Sequence, residues 1–153
     1  AGDLLRKLGD LDAAEMWYLR ARDLYPKVIL VLIRLGDIAL LQKDFDKAHE
    51  FFLTALRQSP NDPDALYAMA RLSSAQGADQ EVLAWTQRAL EQGLQPDFWF
   101  HKMRGRSYRN LGRCALADLS YRAALASAGV PANEKSFLLG QLEAIARDCY
   151  EIK

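Results

Sequence analysis

The sequence contains little material for most kinds of chemical site. Its 153 residues include only two cysteines, Cys114 and Cys149, and two histidines, His49 and His101, too few for a disulfide framework or a four-ligand zinc site. Basic and acidic side chains balance at 20 each, so binding of nucleic acid, which needs many cations facing phosphates, is not expected. The longest uncharged apolar run, Val28 to Ile33, is far too short to cross a bilayer, so membrane insertion is not expected.

Catalytic motifs are missing as well. The sequence has no phosphate-cradling glycine loop, no zinc-binding HExxH spacing and no nucleophile elbow. Cys114 and His101 are separated by about 19 Å along a predicted helix, at 1.5 Å per residue, which excludes contact along that helix. We therefore expect no catalytic residue, cofactor or metal, and no enzyme. No charged-then-apolar leader opens the chain, so the cytoplasm is favoured, with the periplasm or export as the alternative if a leader has been removed.

What the sequence does contain is an internal repeat. Four prolines stand 34, 36 and 35 residues apart, at Pro26, Pro60, Pro96 and Pro131. An apolar segment precedes each one, and in three of the four an aromatic residue lies between two alanines, as in Ala48, Phe52 and Ala55. Intervals of four and three place these residues on one face of a helix. Proline after the last turn ends such a helix, because its ring cannot continue the hydrogen-bond ladder.

A turn signal and a further amphipathic stretch precede each of these helices. The turn signals are Gly9-Asp10, Lys43-Asp44, Gly77-Ala78-Asp79 and Gly112. Glycine supplies the left-handed conformation that ends one helix, and aspartate can cap the next. Each unit therefore has the pattern helix, tight turn, helix and proline.

This pattern resembles the tetratricopeptide repeat family, whose unit is 34 residues long. The second copy matches best, with Leu32, Leu35-Gly36, Ala39, Asp44-Phe45, Ala48, Phe52, Ala55-Leu56 and Pro60. The fourth copy departs at His101 and Arg104, where the family usually has large apolar residues. The third copy is weakest, with Ala70 for the first glycine, Val82 for a small residue and Thr86 for the aromatic residue.

The resemblance implies an all-α fold, a right-handed α-solenoid of stacked antiparallel helix pairs in a single domain over residues 1–153. We expect a truncated repeat at about 1–26, repeats at 27–60, 61–96 and 97–131, and a C-terminal capping helix at about 133–151, which Asn133 can cap. The β-branched run Val28 to Ile33 would alone indicate a buried strand, but the repeat register favours a helix. Cys114 and Cys149 both lie near the turn edge of such a stack, which leaves a disulfide between them as an option and their redox state open.

In this family the first helices of the repeats line a concave groove that takes a peptide or a partner's helix. Projecting each first helix gives the expected groove residues Leu30, Ile33, Arg34, Asp37, Tyr67, Arg71, Trp99, Lys102, Arg106, Arg109 and Asn110. This surface changes from apolar to basic along the stack. Residues 1–95 hold 11 basic and 14 acidic groups, a net charge of −3, whereas residues 96–153 hold 9 and 6, a net charge of +3.

These features predict a scaffold or adaptor that binds a partly acidic, partly apolar segment of a partner protein. Arginine pairs in two-pronged fashion with carboxylates, and Tyr67 and Trp99 offer flat apolar surfaces. The set of lysines, asparagines and an arginine with which some tetratricopeptide domains hold a chaperone's carboxylate end is not reproduced, because Asp37, Tyr67 and Arg71 stand in its place. Alternatively, the basic face is solvated or answered by acidic residues of neighbouring helices such as Asp64.

Other functions stay open from the sequence. The repeats could form an accessory or regulatory segment of a larger enzyme or of a secretion or assembly machine. The apolar end of the groove, with Leu30, Ile33 and Leu40, could mediate self-association into a homo-oligomer. RNA binding by the arginine-rich helix is a third interpretation, and it is disfavoured by the neutral total charge.

Overall fold

The repeated segments are α-helices in the computed structural model, which describes residue 2 and residues 9–150. The helices, numbered from the first one with described bounds, are α1 (Leu11–Leu24), α2 (Ile29–Leu41), α3 (Phe45–Gln58), α4 (Pro63–Ala75), α5 (Asp79–Glu91), α6 (Phe98–Asn110), α7 (Cys114–Ala126) and α8 (Ala132–Ile145). No strand occurs in these described ranges. The run Val28 to Ile33 is helical from Ile29 onwards, so the strand interpretation is wrong.

The helices begin and end where local chemistry requires. Four of them follow an aspartate whose carboxylate accepts the backbone N–H three residues further on, at 2.8 to 3.1 Å, namely Asp10, Asp44, Asp62 and Asp97. Left-handed glycines stand in the turns before α1, α5 and α7. In the second copy Lys43 takes this conformation instead, with φ of 62°. The turns are therefore short enough to return each chain segment antiparallel to the one before.

The helices stack in file along the chain. Each packs mainly on the next, in the pairs α2/α3, α4/α5 and α6/α7, and α2 also contacts α4 of the following pair. One buried cluster spans α2, α3 and α4 and includes Leu32, Phe52 and Leu72. A second joins α7 to α8 through Tyr121, Leu138 and Ile145. This arrangement, in which each repeat packs on the next one along the chain, is that of an all-α solenoid.

A glycine paired with an aromatic ring holds most helix pairs together. Gly36 on α2 faces Phe52 on α3, and Gly105 on α6 faces Tyr121 on α7. An added Cβ at Gly105 would lie 2.8 Å from the Tyr121 ring, and one at Gly36 would lie closer still to the Phe52 ring. The two members of each pair are 16 residues apart. We call the space above such a glycine the glycine notch. In these two pairs the ring occupies it.

The departures of the third and fourth copies compensate one another. Thr86, which replaces the aromatic residue, is fully buried. Arg104 donates a hydrogen bond of 3.0 Å from Nη1 to the Thr86 hydroxyl and one of 2.8 Å from Nη2 to the Tyr108 hydroxyl. Its guanidinium also lies over the Tyr108 and Phe100 rings. The arginine thus supplies the buried threonine with a hydrogen-bond donor and ties α5 to α6.

The closing helix differs in detail from the expected one. α8 begins at Ala132, and Pro131 occupies its N-cap without a side-chain hydrogen bond, so the expected role of Asn133 in starting the helix is wrong. A π-helical turn, Ala146–Tyr150, follows α8, and position 151 of the expected helix lies outside the described residues. The cysteines form a disulfide, with their Cα atoms 6.3 Å apart. The start of α7 is therefore covalently joined to the π-helical turn.

Candidate binding groove

The first helices of the repeats line an open pocket of about 830 Å³. It is walled by residues of α2, α4 and α6, the N-cap of α6 and one residue of α8, namely Arg34, Tyr67, Arg71, Ser74, Asp97, Trp99, Lys102, Met103, Arg106 and Phe137. Four of these side chains are cationic, and the exposed side chains Trp99 and Phe137 are large and apolar. The pocket therefore combines positive charge with apolar surface.

A buried aspartate holds two of the cations in place. Asp37 on α2 is only 6 % exposed. Its carboxylate lies 2.7 Å from Arg71 Nη1 on α4 and 3.4 Å from Arg34 Nη1 one turn earlier on α2. A buried carboxylate needs partners of opposite sign, and here two guanidinium groups share one carboxylate. The three side chains together therefore keep a net positive charge. Asp37 thus positions the arginines and offers little surface of its own.

The ammonium of Lys102 lies between aromatic rings. Its Nζ is 5.0 Å from the Trp99 ring centroid and 4.6 Å from that of Phe137 on α8, within the range of cation–π attraction. It also forms an ion pair of 2.6 Å with Glu134 Oε2. These contacts fix the lysine and brace the two aromatic side chains, which are 53 % and 43 % exposed and form the apolar wall of the pocket.

Arg106 is the cation most available to a ligand. Its side chain is exposed, and Nη2 donates to the Ser74 hydroxyl and, at 3.2 Å, to the Ser74 carbonyl oxygen. Among the described residues, no carboxylate lies within ion-pair distance of Arg106, whereas Arg34, Arg71 and Lys102 each have one. A carboxylate that enters the pocket would therefore pair with Arg106 without displacing a carboxylate of the chain.

Tyr67 is a neutral hydrogen-bond donor in the wall of the pocket. Burial raises the pKa of its hydroxyl well above the ordinary value, and the nearby Asp97 carboxylate raises it further. The Asp97 carboxylate accepts the backbone N–H of Phe100 at the start of α6 at 2.8 Å. The acidic group of the pocket is thus already engaged by its own chain as the cap of α6.

The structure brings together six of the eleven expected groove residues, which are Arg34, Tyr67, Arg71, Trp99, Lys102 and Arg106. Ile33 is 4 % exposed and packs in the core, so its placement on the groove surface is wrong. Leu30 is exposed in the first turn of α2 and does not line the pocket. Arg109 bonds to Gln141 and lies 3.6 Å from Asp148, and Asn110 bonds to Asp79 at 3.0 Å.

Sequence reasoning missed the contribution of α8 to the pocket. The helical spacing places Phe137 on the apolar face of a closing helix, yet it lies 35 residues after Lys102, which itself lies 35 residues after Tyr67. The three side chains occupy the same position in successive first helices, and all of them line the pocket. Extending the repeat register past Pro131 would have found Phe137. The roles of Ser74 and Asp97 depend on side-chain contacts, which the register does not give.

Comparison with known proteins agrees with this architecture. Two profiles described as tetratricopeptide repeat match the chain, one over residues 1–61 and the other over residues 39–99. The chain belongs to the tetratricopeptide repeat family. Proteins built from tetratricopeptide repeats are generally protein-interaction scaffolds that bind protein partners, and they are typically not enzymes. No curated protein matches the sequence at a significant level.

Solved tetratricopeptide structures share the fold. The chain is similar to TTC0263, a thermophilic TPR protein of Thermus thermophilus, with 23 % identity, a TM-score of 0.68 and coverage of 95 % of this chain and 78 % of that one. It is also similar to MamA, with 18 % identity, a TM-score of 0.65 and coverage of 96 % and 93 %. It is similar as well to YrrB, described as a TPR protein with an unusual peptide-binding site, with 21 % identity, a TM-score of 0.62 and coverage of 97 % of this chain and 84 % of that one. At these identities the likeness shows the fold alone.

No helix in the described part of the chain is both long enough and apolar enough to cross a membrane.

Proposed function

We propose that the chain is a peptide-binding adaptor whose groove takes a partly acidic, partly apolar segment of a partner protein. The observation that carries this proposal is the pocket in which Arg106 stands beside two exposed aromatic side chains, Trp99 and Phe137. Of the charges in and around the pocket, the four cations outnumber the carboxylates of Asp37, Asp97 and Glu134. The whole set carries one surplus positive charge, and Arg106 is its one cation with no carboxylate at ion-pair distance among the described residues.

The chemistry of the pocket suits recognition and offers no step of a reaction. Its titratable side chains are three cations held by ion pairs, the cation Arg106, the Asp97 carboxylate that caps α6, and a tyrosine whose hydroxyl stays protonated. Exposed aromatic side chains bury large area on binding at low cost in conformational entropy, and arginine adds directional contacts to carboxylates. In this proposal the protein is not an enzyme and needs no cofactor. YrrB, which shares the fold, is described as having an unusual peptide-binding site, so the fold is compatible with this function.

The proposal predicts a preference that a pair of peptides can measure. The two end-capped peptides have 12 residues each and share their leucine and phenylalanine positions, and every other position is glutamate in one and lysine in the other. We expect the glutamate peptide to bind at least tenfold more tightly, since it matches the surplus charge of the pocket. Fluorescence anisotropy of the labelled peptides at physiological salt gives both affinities. Equal affinities, or tighter binding of the lysine peptide, would contradict the proposal.

Self-association is a second candidate, and an apolar patch favours it. Leu24, Tyr25, Val28 and Leu30, around the connection from α1 to α2, are all exposed. Contiguous exposed apolar residues mark interaction surfaces. If this patch joins two copies, light scattering will show a mass that rises with concentration, and Leu30→Glu will return the mass to that of one chain. A constant single-chain mass at high concentration would exclude self-association.

A further inference from the structure

α8 keeps the register of the first helices, but within residues 9–150 no second helix packs on the side of α8 that would correspond to one. Gly140 lies 35 residues after Gly105. On α2 the positions that pack against the second helix, Leu32, Leu35, Gly36 and Ala39, are buried. On α8 the equivalent positions, Ser136, Leu139, Gly140 and Glu143, are all exposed, and Leu139 is 53 % exposed. We call these four residues the outer stripe of α8.

The glycine notch of α8 is open. Above Gly2, Gly36 and Gly105 an aromatic ring stands so close that an added Cβ would collide with it. At Gly140 the same added Cβ would meet no atom within 4 Å in the part of the chain that the structure describes. The opposite side of the helix is anchored by Leu138 and Ile145, which are fully buried. The packing of Leu138 and Ile145 therefore fixes the orientation of the outer stripe without a covering helix.

The helices that fill the other notches define what would fit here. Each carries an aromatic residue four positions after one alanine and three positions before another, in the sets Ala14, Tyr18, Ala21; Ala48, Phe52, Ala55; and Ala117, Tyr121, Ala124. All six alanines except Ala21 are fully buried. The small residues let the two helix backbones approach closely, so that the ring between them reaches the glycine.

The charge on the outer stripe adds a requirement. Ser73 on α4 stands at the position equivalent to Glu143, and its hydroxyl donates a 3.0 Å hydrogen bond to Glu81 in the first turn of α5. Glu81 is the residue directly before the small-residue position of its helix. In a docking helix, the residue at the position equivalent to Glu81 would lie against Glu143. A lysine or arginine at that position would form an ion pair with Glu143. α3 carries a basic residue at this position, because Lys47 stands directly before Ala48.

We propose that the outer stripe of α8 is a docking site for an amphipathic helix of a partner protein. The helix carries a basic residue followed by alanine, then an aromatic residue four positions after that alanine, and a second alanine three positions later. The aromatic ring enters the notch at Gly140 and the basic residue pairs with Glu143. This site is separate from the groove, where an extended acidic segment would bind.

A peptide with the sequence of α3, Phe45–Gln58, is the probe, held helical by a side-chain lactam on its solvent face because short helices are marginal in water. We expect saturable binding by fluorescence anisotropy. Gly140→Leu fills the notch and weakens binding at least tenfold, as does Phe52→Ala in the probe. Gln87→Leu, which adds the same side chain on exposed surface of α5, leaves the affinity unchanged. Circular dichroism confirms that each variant folds.

A charge exchange tests the contact at Glu143. Glu143→Lys weakens binding of the original probe severalfold, and the probe with Lys47→Glu restores it on the Glu143→Lys protein. Binding that is absent up to millimolar probe, or that Gly140→Leu does not change, would overturn the proposal. A doubled particle mass that Gly140→Leu returns to a single chain would assign the outer stripe to a second copy, and this too would overturn it.

Discussion

Reversing the charge of Arg106 is expected to weaken binding of the glutamate peptide about ten- to a hundredfold, because it replaces the surplus cation of the pocket with a repelling carboxylate. The same change at Arg109 is expected to cost less than about threefold, since Gln141 and Asp148 already engage Arg109. The double variant should bind about as weakly as Arg106→Glu alone. Anisotropy titrations of the three variants at one salt concentration give these ratios.

A matched control separates contact from overall charge. Arg57→Glu makes the same change of charge on the exposed surface of α3, away from the pocket. Its affinity should stay within about twofold of the unaltered chain, because exposed charges more than a Debye length apart are largely screened. If Arg57→Glu weakened binding as much as Arg106→Glu does, attraction would come from the net charge of the protein and the pocket assignment would fail.

The same substitution at two equivalent glycines is expected to have opposite effects on stability. Gly36→Ala places a methyl group against the Phe52 ring and should lower the free energy of unfolding by about 1–3 kcal/mol, the usual cost of overpacking a core. Gly140→Ala meets open space and should raise it by up to about 1 kcal/mol, since alanine is the better helix former. Urea denaturation followed by circular dichroism measures both.

This pair of variants tests whether α8 is an unpartnered first helix. Gly105→Ala should behave like Gly36→Ala, because its added methyl group meets the Tyr121 ring. A loss of stability for Gly140→Ala equal to that of the other two would show that the notch on α8 is occupied. Conversely, a gain in stability from alanine at all three positions would show that the rings of Phe52 and Tyr121 do not lie where the structure places them.

The helix pattern could be predicted because it depends on local chemistry. Aspartate caps, left-handed turn residues and helical spacing of apolar residues all act within a few positions of the chain. The burial of Ile33 could not be predicted, because α2 is apolar nearly all round and periodicity alone does not tell which side of the helix the next repeat covers. In the structure that side meets α4, with Met69 and Leu72 in the same cluster.

The groove could be predicted only in part for a similar reason. Projecting a helix shows which side chains share a face, so the cluster of Tyr67, Arg71, Trp99 and Arg106 follows from the register. It does not show which cations the chain itself neutralises. Lys102 and Arg109 are engaged by α8 and the π-helical turn after it, a segment that sequence reasoning treats as a cover. The disulfide had a sequence signal, because Cys114 and Cys149 are 35 residues apart and thus occupy equivalent positions of adjacent units.

The three tryptophans provide the most direct measurement of where a ligand binds. Trp99 lines the pocket, whereas Trp17 and Trp85 lie on the second helices α1 and α5. Their indole N–H signals in a nitrogen–proton correlation spectrum can be assigned with single Trp→Phe variants. On titration with the glutamate peptide, the Trp99 signal should move saturably while the other two stay in place. Movement of Trp17 or Trp85 with an unchanged Trp99 signal would contradict binding in the groove.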